Sequence, residues 1–347
     1  MAETYKRSVF IAPKQIRVDD VVIPEPGPRQ ALVKVKACAI CTWEQRIYTG
    51  EDPFYPLSGG HEISGDLVAM GSQVYSDAKI GDRVVASRLT RCGYCESCRQ
   101  GLDSICDNAR NSFSSSDVPG PSGLSEYVLI EDYQLYKGAN EVTYEELCLT
   151  EPVACVIRSL RKAQLERTDT VVVIGAGIMG LLHVLLAKQA GTKVIVSEPN
   201  LKRAEFAKAI GADYIIDPVT ESFKDKVLDY SKGRGANAIF TAVSLASAIE
   251  QGITVLAKGG KLSVYGSIYP RGTTITIDPN DFHGKEITLT GTVSQSREDF
   301  LQATRMVADK IIDLKPFISK VLPFEKLEEA IQWALSPDTY RVLVAMN

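Results

Sequence analysis

Histidine is scarce in this chain, with three among 347 residues, and there are only two tryptophans and five methionines. A histidine inside a motif therefore carries weight. No uninterrupted apolar run is long enough to cross a membrane: the most apolar window, 171–187, is broken by three glycines and by His183. The first residues, Met-Ala-Glu-Thr-Tyr-Lys-Arg, hold no apolar signal region, so a cytoplasmic location is expected. Neither sign of charge dominates. The 39 basic and 43 acidic side chains leave a net charge of −4, which gives no reason to expect nucleic acid or an anionic membrane as a partner. Internal repeats and low-complexity tracts are absent. The remainder, 45% hydrophobic and 24% charged, is ordinary for a globular protein, and the length suggests two domains with ample core. Eight cysteines in a reducing compartment read as metal ligands or core residues, not as a disulfide framework.

The most informative stretch runs from Thr170 to Glu198. Val171–Ile174 is a short β-branched run, as in a strand buried on both faces. Gly175, Gly177 and Gly180 follow in G-x-G-x-x-G spacing. Gly175 permits a tight turn, Gly177 lets a pyrophosphate approach the backbone, and Gly180 lets the next helix pack on the strand. With Ile178 and Met179 they open a helix whose free N–H groups and partial positive charge suit phosphates. Val194–Val196 read as a second buried strand, ending at Glu198, 18 residues after the last glycine. An acid near that spacing accepts hydrogen bonds from ribose hydroxyls, which favours NAD over NADP. Arg203, one turn into the next helix, is expected to stack on adenine. A dinucleotide site follows from the whole strand–turn–helix–strand–acid series, since the glycine spacing alone is weak.

Upstream, short apolar runs at Ser8–Ala12, Val21–Ile23 and Ala31–Lys36, punctuated by prolines, read as strands of a small barrel-like domain. Cys38 and Cys41 then form a C-x-x-C pair, and Gly60-His61-Glu62 sets a histidine and an acid side by side after a glycine turn. Ile63–Gly71 and Ile80–Val85 read as two more strands with a turn. Cys92, Cys95, Cys98 and Cys106 stand in C-x2-C-x2-C-x7-C spacing. Four thiolates so placed close a tetrahedral zinc shell with no open position, which makes the site structural. The spacing lacks the bacterial iron–sulfur run. Residues 107–123 read as a loop, Tyr127–Ile130 as a strand, and Glu145–Cys148 as helical. Pro152 suits the first turn of a helix that reaches Ala163 and puts Glu151 at its cap. Cys155 reads as a buried small apolar residue, His183 as packed or exposed without a function, His283 as a loop residue and Trp333 as helix packing.

From Thr170 to Gly291 the pattern alternates. Strands are expected at 171–174, 193–197, 214–216, 238–243, 261–265 and 286–290, and helices at 178–190, 201–210, 221–230 and 245–257. That is the doubly wound α/β pattern with a parallel sheet. Helices at 297–310 and 324–335 and a strand at Arg341–Ala345 close the chain.

The order Cys41, Gly60-His61-Glu62, the four-cysteine cluster, then Glu151-Pro152 ahead of the glycine motif resembles the zinc-containing medium-chain dehydrogenases over nearly the whole chain. Glu-Pro in place of a second cysteine is similar to the polyol branch, the sorbitol- and threonine-dehydrogenase-like enzymes. The run Val-Lys-Val-Lys-Ala-Cys-Ala-Ile-Cys resembles that family's entry to its catalytic cysteine, which singles out Cys41 and not Cys38. The resemblance implies a GroES-like β-barrel catalytic domain at 1–151 that is completed by 294–347, with a Rossmann NAD-binding domain inserted at 152–293. It implies an active site in the cleft and two zinc ions per chain. A catalytic zinc would be held by Cys41, His61 and Glu151, with Glu62 as an occasional ligand, and a structural zinc by the four-cysteine cluster. The substrate would be a small-molecule secondary alcohol of a polyol, sugar alcohol, cyclitol or amino alcohol, and the assembly a homodimer or homotetramer.

One departure stands just after Cys41. Where the family usually has Gly-Ser/Thr-Asp, this chain has Thr42-Trp43-Glu44, and Arg46 replaces a frequent histidine. Trp43 cannot pass on a proton as a hydroxyl does, so the relay falls to Thr42 or to a water near Glu62. Arg46, Phe54, Tyr55 and the 112–123 loop are candidate pocket walls. Two other readings compete: a zinc-free quinone or enoyl reductase of the same fold, which Cys41, His61 and Glu151 argue against, and a nucleotide-binding protein without turnover that senses redox state.

Overall fold

The computed structural model describes residues 3–109 and 117–346. Its backbone contacts divide into two units, residues 1–154 with 295–347 and residues 155–294.

In the first unit, β1 (Thr4–Ala12) and β2 (Gln15–Val22) form an antiparallel hairpin. There follow β3 (Gln30–Ala39), α1 (Thr42–Thr49), β4 (Glu62–Met70), β5 (Arg83–Ser87), the one-turn α2 (Glu96–Arg99), β6 (Tyr127–Glu131), β7 (Leu135–Lys137), α3 (Tyr144–Cys148) and α4 (Thr150–Ala163). The last of these begins in this unit and carries the chain into the second. Glu151 is thus in the first turn of α4, not at its cap, and its charge suits the positive end of the helix. Residues inside β3 and β4 alternate or run buried because they pack on a core that includes Phe10, Val35, Ile47, Ile63, Leu124 and Val344.

The second unit reads β8 (Thr170–Ile174), α5 (Ile178–Gln189), β9 (Lys193–Ser197), α6 (Leu201–Ala209), β10 (Tyr214–Ile216), α7 (Phe223–Tyr230), β11 (Ala236–Thr241), α8 (Ala246–Thr254), β12 (Leu256–Val264), α9 (Pro279–Lys285) and β13 (Thr288–Gly291). The six strands are all parallel, in the order β10-β9-β8-β11-β12-β13. Renumbered from β8, this is the 3-2-1-4-5-6 order of dinucleotide-binding folds. Every residue of β8 is buried, as a strand covered on both faces requires.

The chain returns to the first unit with α10 (Arg297–Ala308), β14 (Ile318–Pro323), α11 (Leu327–Ala334) and β15 (Arg341–Ala345). β15 lies between β14 and β3, pairing antiparallel with β3 (Leu343 against Ala39), so the sheet of this unit runs β14-β15-β3-β4-β5-β7, with β6 also on β3.

Further sequence expectations change. His283 lies in α9, not in a loop. Cys155 is half-buried, on the turn of α4 where the two units' residues meet in the chain. Trp333, on α11, is 40% exposed, and Lys320 Nζ stands 3.9 Å from its ring centroid, so a cation on its face adds to the packing expected of it. β11 and β12 begin earlier than their apolar runs suggest, at Ala236 and Leu256, because each strand pairs with a neighbour before its periodicity becomes visible.

Candidate active site

Two groups of metal-binding donors form in the first unit among the described residues. The first is Cys41, His61 and Glu62, with one donor atom from each and all of these within 4.8 Å of one another. Cys41 lies between β3 and α1, and His61 and Glu62 stand at the start of β4, which pairs with β3. Sheet register therefore joins residues twenty apart. Gly60 sets the turn: its φ is +92°, and a Cβ there would lie 2.4 Å from the Leu124 nitrogen and 2.8 Å from Cys38 Sγ. Cys38 itself is buried in β3, outside the donor set.

The side chain that orients this group is Glu44, a residue the sequence reading passed over. It is fully buried on α1. Its Oε1 accepts from His61 Nδ1 at 2.9 Å and from the Gly60 N–H at 2.9 Å, and its Oε2 accepts from the Cys41 N–H at 3.2 Å. Burial works against its charge, yet His61 and the Gly60 N–H hold its pKa below the ordinary value. With Nδ1–H donated to a carboxylate, the His61 lone pair is on Nε2, which is the tautomer a metal needs. Burial opposes a second proton on His61, but Glu44 and Cys41 outweigh it and lift the pKa well above that of free imidazole. Proton and metal thus compete for the same nitrogen. Trp43 stands edge-on to the His61 ring, centroids 5.8 Å apart.

Glu62 is fully buried and paired through Oε1 with Arg341 Nη2 of β15, a guanidinium that is 2% exposed and also donates to the Ile40 carbonyl. Its Oε2 is buried without a hydrogen bond among the described residues, an acceptor suited to a cation. Burial pushes the Glu62 carboxyl up; Arg341 pulls against this and the nearby Glu151 carboxylate adds to it. Glu151 is buried and close enough to act on both members of that pair, but it is not one of the three donors brought within 4.8 Å. Thr42 is exposed at the first position of α1, and Arg46 pairs with Glu51 at 3.5 Å. Phe54 is exposed, and the Tyr55 hydroxyl donates to the Ile47 carbonyl. Residues 112–116 of the proposed loop wall lie outside the described residues.

The second donor group is Cys92, Cys95, Cys98 and Cys106, again with all sulfurs within 4.8 Å of one another. Cys95 Sγ and Cys106 Sγ are 3.9 Å apart, close to the edge of a tetrahedron with bonds of about 2.3 Å. N–H groups aim at the sulfurs: Cys95 N at Cys92 Sγ (3.3 Å), Cys98 N at Cys95 Sγ (3.4 Å) and Cys92 N at Cys106 Sγ (3.4 Å), with Asn108 Nδ2 at Cys92 Sγ (3.3 Å). Such donors favour thiolates, which is the form that binds zinc.

In the second unit, Gly175 has φ +97°. A Cβ on Gly180 would lie 1.9 Å from the Gly175 carbonyl oxygen, while one on Gly177 would meet nothing within 4 Å. The first clash explains the close packing of α5 on the turn, and the open space beside Gly177, the N-cap of α5, suits a pyrophosphate. Ile178 and Met179 form the first turn of α5. Glu198 is buried just beyond β9. Its Oε2 accepts from the Ala176 N–H at 2.7 Å and its Oε1 from the Asn200 N–H at 2.9 Å. It therefore braces the glycine turn and keeps one lone-pair site on each oxygen. Arg203 lies on α6, partly exposed.

These features define a class, and comparison agrees. Residues 27–140 match the model of the alcohol dehydrogenase GroES-like domain and residues 179–309 that of the zinc-binding dehydrogenases. The chain belongs to the zinc-binding alcohol dehydrogenase family. It is 30% identical to an L-threonine 3-dehydrogenase of Pyrococcus horikoshii, over 94% of each chain. It is 26% identical to a D-arabitol-phosphate dehydrogenase of Enterococcus avium, over 100% of this chain and 99% of that one. A structure of the zinc-binding dehydrogenase type from Sinorhizobium meliloti 1021, bound to NADP, superposes with a TM-score of 0.90 at 26% identity, over 99% of each chain. The chain is therefore an oxidoreductase of the zinc type, acting on CH–OH donors with a nicotinamide cofactor.

Proposed function

We propose that this enzyme uses NAD to oxidise a secondary alcohol of a polyol, sugar alcohol, cyclitol or amino alcohol, with two zinc ions per chain. The observation that carries the reading is the Cys41–His61–Glu62 donor set with Glu44 fixing the His61 tautomer. A zinc ion bound there would supply Lewis acidity to a substrate hydroxyl. Cys41 and His61 would hold it, with a carboxylate as third ligand: Glu151, with Glu62 as an occasional one. Arg341 restrains Glu62 through Oε1, so only Oε2 is available for that role. Trp43 leaves no hydroxyl at its position, and the exposed Thr42 gives the departing proton its way to solvent. The cysteine cluster holds the second, structural zinc.

Glu198 supports the choice of NAD. A 2′-phosphate beside this buried carboxylate would meet a repulsion of roughly 1–4 kcal/mol at about 4 Å. The names of the relatives support an alcohol with neighbouring hydroxyl or amino groups. The assembly we propose is a homodimer or homotetramer.

The test is an NAD-reduction screen across polyols, their phosphates, amino alcohols and cyclitols with the zinc-loaded protein, repeated with NADP and with Glu151→Ala. The expected results are turnover on at least one class, two zinc per chain, a higher kcat/KM with NAD, and loss of one zinc and of turnover in Glu151→Ala with NAD affinity retained. Glu151→Ala with full zinc and full turnover would assign the third ligand position to Glu62. Equal efficiency with the two cofactors would overturn the NAD assignment.

A further inference from the structure

The first unit holds a cavity of about 240 Å³ that shares no residue with either metal-donor group. It is walled by β1, β2 and β6, by the chain leaving β5 at Arg88, and by the segment around Ser122. Val21, Val22 and the rings of Tyr5 and Tyr127, which meet edge to face at 5.7 Å, make part of the wall apolar.

The polar groups divide unevenly. The acceptors are engaged. Asp117 takes a forked pair from Arg7 at 2.8 and 3.0 Å. Gln30 Oε1 accepts from the Gly27 N–H, and Glu131 accepts from Gln30 Nε2 at 2.9 Å. Gln134 Oε1 accepts from Arg88 and from the Glu131 N–H. The donors are not all used. Arg88 Nε donates to the Pro121 carbonyl at 2.7 Å, and Nη1 to the Leu129 carbonyl at 3.1 Å and to Gln134 at 3.3 Å. Among the described residues, Nη2 donates to nothing, Arg88 has no carboxylate at ion-pair distance, and the Tyr5 and Tyr127 hydroxyls make no hydrogen bond. Burial pushes the Arg88 guanidinium down to about 10, with Tyr133 and Glu131 opposing it only in part. It is still a cation at neutral pH, held by carbonyls and an amide but not neutralised. Such a charge gains most from an anion that reaches its open edge.

We propose that this cavity is a second ligand site, for a small organic carboxylate that docks on Arg88 Nη2 and the Tyr5 hydroxyl with its carbon skeleton against Tyr127 and Val21. Donors without acceptors select an anion; the apolar wall selects an organic one over inorganic phosphate.

Calorimetric titration of the zinc-loaded, full-length protein with benzoate tests this. Benzoate should bind one site per chain with the same Kd in wild type and in Cys41→Ser, whose metal-donor group is broken. Arg88→Gln should weaken binding roughly tenfold or more, since the charge-assisted hydrogen bond from Nη2 is lost. Tyr5→Phe should weaken it severalfold, and phosphate should bind less tightly than benzoate. No binding, binding unchanged by Arg88→Gln and Tyr5→Phe, or binding lost only in Cys41→Ser would overturn the proposal. Phosphate binding as tightly as benzoate would overturn the organic class. Arg88→Lys, which keeps the charge but loses the Nη2 donor, replaces Arg88→Gln if that variant does not fold, and should also weaken binding.

Discussion

Glu44 shows how one buried carboxylate can set the chemistry of a neighbour. It binds three groups on two elements, the His61 ring and the N–H groups of Gly60 and Cys41. Glu44→Gln keeps the shape but offers one oxygen and removes the charge. The expected result is a zinc affinity at the Cys41 group lowered about 10–100-fold, with the four-cysteine zinc retained; competition with a chromogenic chelator reads both sites. Unchanged affinity would mean that His61 is held by packing, through Trp43, and not by Glu44. The sequence made Cys41, His61 and the cysteine cluster legible because their spacing is local. Glu44 was legible too, as an acid three residues after Cys41, but it was read only as a departure from a pattern. Arg341 was not legible: its partner Glu62 lies 279 residues away, and no local pattern marks an arginine in an apolar strand as one half of a buried pair. That Glu62, and not Glu151, falls within 4.8 Å of the Cys41 and His61 donors could not be read either.

At the scale of elements, β8, the glycine turn and α5 were visible because a buried parallel strand and a glycine-capped helix each leave a strong periodic signal. α9 was not, since its seven residues carry a proline, a glycine and no buried face. On α5, His183 is fully buried between Phe240 and Tyr265, ring centroids 4.7 and 4.6 Å away. Its Nδ1–H donates to the Met179 carbonyl at 2.7 Å. Burial lowers its pKa from 6.5 to about 4. Above pH 6.5 the folded and unfolded chains bind the same number of protons at this site. As the pH falls towards 4 the unfolded chain takes up a proton that the folded chain refuses, so stability declines across that window, by about 3 kcal/mol in full. His183→Phe should flatten the decline. Denaturant midpoints of both proteins at pH 7.5 and pH 5 measure it, and an equal drop in the two would refute the role.

At the scale of the molecule, β15 fills the place between β14 and β3, so the sheet of the first unit depends on residues from both sides of the inserted second unit. A chain ending at Tyr340 loses that strand and leaves Glu62 as a buried carboxylate without its cation, a loss of about 3–5 kcal/mol for the pair alone. The first unit should lose cooperative unfolding and its zinc. The second unit has its own core around Val172, Ile195, Ile239 and Leu262, and should keep its transition. Calorimetry with domain-resolved hydrogen exchange separates the two; a first unit that still melts cooperatively would show that β15 is dispensable.

The Glu62–Arg341 pair also orders events during synthesis. Glu62 leaves the ribosome before any of the second unit has been made, and Arg341 only after all of it. Until then the acid has no counter-charge, and burying it is unfavourable. The nascent chain should therefore assemble its second unit before the Cys41–His61–Glu62 group, which is expected to mature last, when the final strand brings in its arginine.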